Sequence, residues 1–302
     1  MVFIQMLSEL QTERRNTQSM NLDQLSTGEI VRLMNEEDQK VAQAVHKVLD
    51  SIEKAVELAL KGMKKGGRLI YIGAGTSGRI GIMDAVECPP TFSTSPSFIQ
   101  AVIAGGEGAI KTAVEGAEDR DFEGVEDLKK LGIGPNDTIV GIAASGRTPY
   151  VKGALLYAKE VGAGTIAISN NSHAAISQCA EIAIEAVTGP EILTGSTRLK
   201  AATAQKMIVN MISTAAMIQL GKVYENLMVD VNVSNYKLKE RAKKMLSTIT
   251  HISLEESETL LKQANFKVKI AIIMHHLNIS CEEAERKLAS SDGFVRQALN
   301  NE

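Results

Sequence analysis

The chain has no tryptophan, and aromatic residues make up only 4% of its 302 positions. Single-stranded nucleic acids are held largely by stacking bases on aromatic rings, and platforms for that are mostly missing here. Charge of one sign is lacking too: 33 basic residues stand against 36 acidic ones, a net charge of −3. No overall field draws in a polyanion or an anionic membrane surface, so neither is expected as a partner. Residues 1–50 mix Arg14 and Arg15 with abundant acids and carry no basic helix-turn-helix footprint. The three cysteines, Cys88, Cys179 and Cys281, are far apart and form no C-x-x-C pair, which suits a reducing compartment. Histidine is scarce, and the only adjacent pair, His275 and His276, has no carboxylate or thiol at ligand spacing, so no metal site is expected. No run approaches the roughly 20 apolar residues of a membrane span. The apolar start, Met1 to Leu7, is too short for a signal h-region and lacks a basic n-region, so a cytoplasmic location is expected.

What remains is a chain that is 44% hydrophobic, enough for a substantial core. Residues 11–21 are polar and read as an extended arm. A helical pattern begins at Ser26, and Val41, Val45, Val48, Ile52, Val56 and Leu60 form one apolar stripe, predicting one long helix that stops at Lys64-Lys-Gly-Gly67. Short apolar runs near 68–73, 99–104, 138–143, 165–169 and 181–187 then alternate with helical segments. That pattern predicts an α/β fold, a doubly wound and mainly parallel sheet flanked by helices. Leu199 to Leu220 is apolar on every side and should be buried, in the domain or in a subunit interface. Composition shifts after Ser234, and from Ser253 short helices follow at about 253–263, 267–277, 280–290 and 293–300. Ser253-x-x-Glu256 and Ser280 ahead of Glu282 and Glu283 read as N-terminal caps. Three parts are expected: an N-terminal arm and helix over 1–66, a core domain over 67–249, and a small all-helical domain over 250–302.

Two strand-to-helix turns carry nearly the same loop, Gly73-Ala-Gly-Thr-Ser-Gly-Arg79 and Ala143-Ala-Ser-Gly-Arg-Thr-Pro149. Glycines allow a tight turn and close approach of the backbone, hydroxyls supply hydrogen bonds, and a helix N-terminus presents its N–H groups to an anion. The first loop spells G-x-G-x-x-G, but Thr76 and Ser77 fill its gap and no acidic residue ends a second strand about 20 residues on, so it is not a dinucleotide loop. Neither loop has the Gly-Lys-Ser/Thr of a P-loop. A small phosphorylated ligand fits better.

Two acidic stretches lie close to these loops in the chain. The helix after the first loop reaches Glu87-Cys-Pro-Pro90, and the prolines are expected to end it, leaving Glu87 at a helix C-terminus where the dipole disfavours a carboxylate, as suits a general acid. The run Glu115-Gly-Ala-Glu118-Asp119-Arg-Asp121 follows a strand and an expected helix over 106–114, and could reach the crevice at the carboxyl ends of the strands.

The paired loops resemble those of the sugar-isomerase (SIS) fold, which binds phosphosugars; Ala143 replaces the first serine of its usual second-loop pattern. Gly73–Arg79, Glu87-Cys-Pro-Pro-Thr-Phe92, Ala113-Val-Glu-Gly-Ala-Glu-Asp119, Ile142–Tyr150 and Leu193-Thr-Gly-Ser-Thr-Arg-Leu-Lys200, together with Asn21-Leu-Asp23, resemble the bacterial N-acetylmuramic acid 6-phosphate etherases in order and over nearly the whole chain. The resemblance implies cleavage of a D-lactyl ether with no cofactor, Glu87 and Glu118 as acid and base, and phosphate on Ser145, Gly146, Arg147 and Thr148. It further implies that Thr76 and Ser77 hold the sugar or share the phosphate, and that Glu191, Ser196, Arg198 and Lys200 complete the pocket of a homodimer with its site at the interface. Two alternatives of the same fold remain, a non-catalytic phosphosugar regulator like the glucokinase regulatory protein and an aldose–ketose isomerase. The regulator is usually a longer chain with two such units, and an isomerase has no need of an acid for a C3 leaving group.

Overall fold

The computed structural model describes residues 10–231 and 236–300. The apolar start at Met1 to Leu7 and the composition change at Ser234 lie outside the described residues. The chain divides into two compact units, one holding the chain up to Val86 together with Ser97–Ser213, the other Glu87–Pro96 together with the chain from Thr214 onward.

The first unit is built on five parallel strands, β1 Leu69–Gly73, β2 Ile99–Ile103, β3 Thr138–Ile142, β4 Gly164–Ser169 and β5 Ile182–Glu185, in the order β2-β1-β3-β4-β5. β1 and β3 are buried along their whole length, as expected of central strands covered on both faces. The strand order reverses between β1 and β3, whose C-terminal ends carry the two glycine-hydroxyl loops. This is the switch point at which open α/β sheets hold ligands. The apolar core joins Ile70, Ile72, Ile139, Tyr150, Val151, Leu155 and Ala167.

The helices before β1 differ from expectation. Instead of one long helix there are two, α1 Thr27–His46 and α2 Leu49–Met63, parted at Lys47 and Val48, where Val48 takes φ −116° and ψ 15°. The apolar stripe continues across the break, with Val41, Val45, Ile52 and Val56 all buried, because packing constrains the face presented and not the hydrogen bonding of each turn. The start of α1 is as expected, a capping box between Ser26 and Glu29.

Helix α3, Gly75–Phe92, runs from the first unit into the second and does not end at its prolines. The fixed φ of proline is itself helical, so Pro89 and Pro90 forfeit N–H donors without forcing the chain out of the helix. The Thr91 hydroxyl donates to the Glu87 carbonyl at 2.7 Å, and the turn comes at Ser93, whose φ is +51°. Glu87 is therefore inside the helix and exposed, and the helix-end argument for its acidity loses its premise. The helix expected over 106–114 is a single turn, α4 Gly108–Lys111, which leaves 112–120 as loop ahead of α5 Asp121–Lys130. Helix α6, Pro149–Val161, follows the second loop. Helix α7, Lys200–Gln219, buries Ala201, Ala204, Ile208, Val209 and Ile212 but exposes Thr203, Lys206, Thr214 and Ile218, so it is one-sided and not apolar all round in its placement.

The second unit is helical. α8 Tyr236–Thr250, α9 Leu254–Gln263, α10 Val268–Leu277, α11 Cys281–Ser290 and α12 Val295–Asn300 pack Leu246, Leu261, Ile270, Ile272, Ala284 and Val295 together. Both expected capping boxes are present, at Ser253 with Glu256 and at Ser280 with Glu283. This unit begins before residue 250, because Ala242, Met245 and Leu246 of α8 share its core.

Candidate functional site

At the C-terminal ends of β1 and β3 lies a cavity of about 310 Å³. Its lining includes Thr76, Ser77, Glu118, Ser145 and Thr148 from the expected site, joined by Glu13, Arg79, Glu115, Gly195 and Thr197.

The first loop enters α3 through Gly75, whose φ of +52° favours glycine. Gly78 must also be glycine, since a Cβ there would stand 2.6 Å from Ile103 Cγ1. Ser77 is buried, and its hydroxyl donates to Gln205 Oε1 at 2.9 Å. Arg79 donates to the carbonyls of Ile110 at 3.0 Å and Ala109 at 2.8 Å, bracing the short α4 and the loop that leads to Glu115 and Glu118.

The second loop turns at Gly146, with φ +69°, where a Cβ would meet that of Ala174 at 2.4 Å. Ser145 Oγ accepts the N–H of Arg147 at 3.3 Å. Thr148 is the N-cap of α6 with Pro149 at the first helical position, and its side chain makes no capping bond, so the hydroxyl is not consumed by the helix. A loop of this kind ahead of a helix N-terminus can hold an anion. The carbonyl of Glu118 accepts the N–H of Tyr150 at 3.0 Å, tying the acidic loop to the first turn of α6. The Tyr150 hydroxyl, pushed strongly upward in pKa by burial and by Asp127, donates to Asp127 Oδ2 at 2.8 Å and stays protonated.

Other expected residues lie elsewhere. Glu191 is fully buried and accepts from the N–H groups of Lys200 at 3.0 Å and Ala201 at 2.9 Å, capping α7. Burial raises its pKa, against the lowering effect of those two bonds. Lys200 is buried and paired with Glu37 of α1. Gly146 and Arg147 shape the second loop but do not line the cavity, and Ser196 and Arg198 alternate with the lining residues Gly195 and Thr197. Glu87, exposed on α3, is not a lining residue.

Glu13 is one of the lining residues that sequence reading missed, with Arg79, Gly195 and Thr197. Its segment is a docked series of 3₁₀ turns at Gln11–Glu13, Thr17–Ser19 and Leu22–Gln24, not an extended arm. Asn171 Oδ1 accepts the N–H of Gln11 at 2.7 Å while its Nδ2 donates to the carbonyl of Ala144 at 3.0 Å, linking the arm to the second loop. The Ser19 hydroxyl donates to the Ile192 carbonyl at 2.7 Å, linking it to the 190–197 segment. No local pattern signals these contacts, which span some 160 residues of chain. Among the described residues, no group of three His, Cys, Asp or Glu converges as a metal site would require, and no helix is long and apolar enough to cross a membrane.

Comparison with known proteins bears on the fold and the family. A family model described as the glucokinase regulatory protein N-terminal SIS domain matches residues 51–159, and one described as the SIS domain matches 123–215. The phosphoheptose isomerase of Neisseria gonorrhoeae, 21% identical, superposes with a TM-score of 0.50 over 66% of this chain and 100% of its own, a likeness of fold. An N-acetylmuramic acid 6-phosphate etherase of Geobacillus thermodenitrificans is 56% identical over 294 residues, covering 97% of this chain and 100% of the relative. An N-acetylmuramic acid 6-phosphate etherase 1 of Bacillus licheniformis is 55% identical, covering 97% of each. A loop pair at the switch point of a parallel sheet, with this identity along the whole chain, places the protein in the N-acetylmuramic acid 6-phosphate etherase family, to which it belongs.

Proposed function

We propose that this protein cleaves the D-lactyl ether of N-acetylmuramic acid 6-phosphate, giving N-acetylglucosamine 6-phosphate and D-lactate in the catabolism and recycling of cell-wall amino sugars. The observation that carries the reading is the sharing of one cavity by the two anion-suited loops and a carboxylate, Glu118.

In the open-chain sugar the C2 hydrogen is α to the aldehyde. A base removes it, the electron pair forms the C2–C3 double bond, and the C3–O bond breaks to release lactate. Water then adds its hydroxyl to C3 and a proton to C2. Glu118 is the base at C2, its loop fixed by the bond to Tyr150. The phosphate rests on Ser145, Gly146, Arg147 and Thr148 at the N-terminus of α6, and Thr76 and Ser77 hold the sugar. Glu87 is assigned as the acid that protonates the departing lactate oxygen, on family resemblance. Glu191 and Lys200 serve the site indirectly, by setting the start of α7 behind the lining residues Gly195 and Thr197.

The working protein is a homodimer with the site at its interface. Val114, a lining residue, and Leu193, beside the lining segment, are exposed apolar side chains that a second copy would cover. Cytoplasmic action is consistent with the cysteine pattern. Incubation of the purified protein with N-acetylmuramic acid 6-phosphate should release D-lactate, measured enzymatically; no release over hours at micromolar protein would end this reading.

A further inference from the structure

A second cavity, of about 840 Å³, lies wholly within the helical unit, between the start of α10, one face of α11 and residues 229–231. Small-molecule sites usually enclose about 300–1,000 Å³. Its walls are apolar at Val229, Val231, Val268, Ile270 and Leu288. The start of α10 is buried there and uncapped. Lys267 stands at the N-cap, where a side-chain oxygen is needed and an ammonium cannot accept. Among the described residues nothing accepts the N–H groups of Val268, Lys269 or Ile270, although these residues are only 2%, 6% and 3% exposed. Buried donors in that position require an acceptor. The Lys269 ammonium lies beside them. It donates to Asp230 Oδ2 at 2.8 Å and to the Gly293 carbonyl at 3.2 Å, which uses two of its three protons. Asp230 also pairs with Lys222 at 3.0 Å, so two ammonium groups share one carboxylate and one positive charge is left over. Lys267 adds nothing to this surplus, since Glu285 pairs with it at 2.6 Å. Burial lowers the Lys269 pKa against the pull of Asp230, and Lys222 lowers it further; an anion beside the ammonium would relieve both effects.

We infer that this cavity binds an amphipathic monocarboxylate, a small acid with an apolar body, whose carboxylate caps α10 and meets Lys269 while the body lies against Val229, Val231, Ile270 and Leu288. A helix N-terminus and a buried ammonium both favour an anion, and a monoanion matches the single surplus charge. A phosphosugar does not fit, because its hydroxyls would face the apolar walls without partners. The three-carbon lactate would leave most of the volume unfilled. The site is thus chemically distinct from the cavity between the two glycine-hydroxyl loops, and it stands whether or not the protein releases lactate.

Octanoate is the probe, titrated by calorimetry into the full chain below its micellar concentration, with octanol, acetate and inorganic phosphate as comparisons. Octanoate should bind saturably, one molecule per chain, and raise the melting temperature as its concentration rises. Octanol lacks the charge, and acetate and phosphate lack the apolar body, so each should bind at least about 10-fold more weakly. Lys269→Met removes the ammonium, keeps the packing and leaves Asp230 paired with Lys222. Octanoate affinity should then fall about 12- to 150-fold, the worth of a hydrogen bond to a charged group. Lys267→Ser supplies the missing cap oxygen, so it should raise the melting temperature of the unliganded protein and weaken octanoate, whose N–H partners are taken. Ala289→Trp, at an exposed lining position, should block the cavity while leaving every polar group in place. Circular dichroism checks that each variant folds, and if Lys269→Met does not, the other two carry the test. No saturable binding by wild type, or octanol bound as tightly as octanoate, would overturn the proposal. So would octanoate affinity unchanged in folded Lys269→Met, in Lys267→Ser or in Ala289→Trp.

Discussion

The ammonium of Lys200, at the start of α7, is ion-paired with the carboxylate of Glu37 on α1, and the two side chains are only 2% and 4% exposed. Lys40 reaches the other oxygen of the same carboxylate. Burial by itself would raise the Glu37 pKa, but its hydrogen bonds to Lys200 and Lys40 outweigh that and hold it below the usual range. The pair joins α1 to the segment whose Gly195 and Thr197 line the cavity.

Removing one member leaves a buried charge. Lys200→Ala should lower stability by up to about 3–5 kcal/mol, less whatever Lys40 recovers, whereas replacing both Glu37 and Lys200 by methionine should restore most of it. Urea denaturation of the three proteins checks this. A loss below about 1 kcal/mol in the single variant would show that the pair contributes little.

The two glutamates should separate by hydrogen exchange. If Glu118 removes the C2 proton, Glu118→Gln stops both lactate release and exchange of that hydrogen in deuterated water. Glu87→Gln should release lactate slowly yet still exchange, because proton removal precedes the step that needs the acid. Each loss should be about 10²- to 10⁴-fold. Exchange lost in Glu87→Gln and kept in Glu118→Gln would reverse the roles.

Ser145→Ala should cost phosphosugar binding about 1.5–3 kcal/mol, the value of a hydrogen bond to a charged group. Equilibrium binding of N-acetylglucosamine 6-phosphate measures it, and equal affinity in wild type and variant would remove the second loop as the phosphate site.

Acid should weaken the first unit through Asp137. Burial would raise its pKa, but the Arg68 side chain and the N–H groups of Gly134 and Arg68 hold it below the ordinary value. The Arg68 contacts are two-pronged, 3.0 Å from Nε to Oδ1 and 2.7 Å from Nη2 to Oδ2. A depressed carboxylate contributes stability that is present above its unfolded pKa, near 3.9, and is lost as pH falls through the folded value. Unfolding free energy should therefore fall below about pH 4, with a shallower fall in Asp137→Asn, as followed by denaturant titration across pH 2–6. Identical slopes would show that other carboxylates set the acid limb.

Assembly is open to sedimentation. A homodimer should sediment at twice the 32.5 kDa of the chain at micromolar concentration. A fully active species of 32.5 kDa would contradict the proposed interface.

Much of the architecture is local and could be read directly. The five strands appear within a residue or two of their apolar runs, and the central β1 and β3, buried along their whole length, are continuously apolar for that reason. Ser26, Ser253 and Ser280 mark helix starts because a cap is satisfied by residues three positions away. Glu115 and Glu118 come to the cavity as expected of an acidic loop at the carboxyl ends of the strands.

Other features were decided only by tertiary contacts. The break at Val48 leaves the apolar stripe intact, so periodicity could not reveal it. Pro89 and Pro90 by local rule favour a stop, yet their φ is compatible with a helix and the folded chain keeps it to Phe92. Glu191 and Lys200 look like ligand groups in the chain, yet capping and pairing use them; Glu13 looks like part of a polar arm, yet Asn171 docks that arm and puts Glu13 in the cavity. Residue types and short spacings determine which strands, caps and anion-suited loops exist, because those depend on hydrogen bonds a few residues apart. Which carboxylate faces a ligand and which is consumed by a helix end or a buried lysine depends on partners as much as 163 positions away, and only the folded chain brings those together.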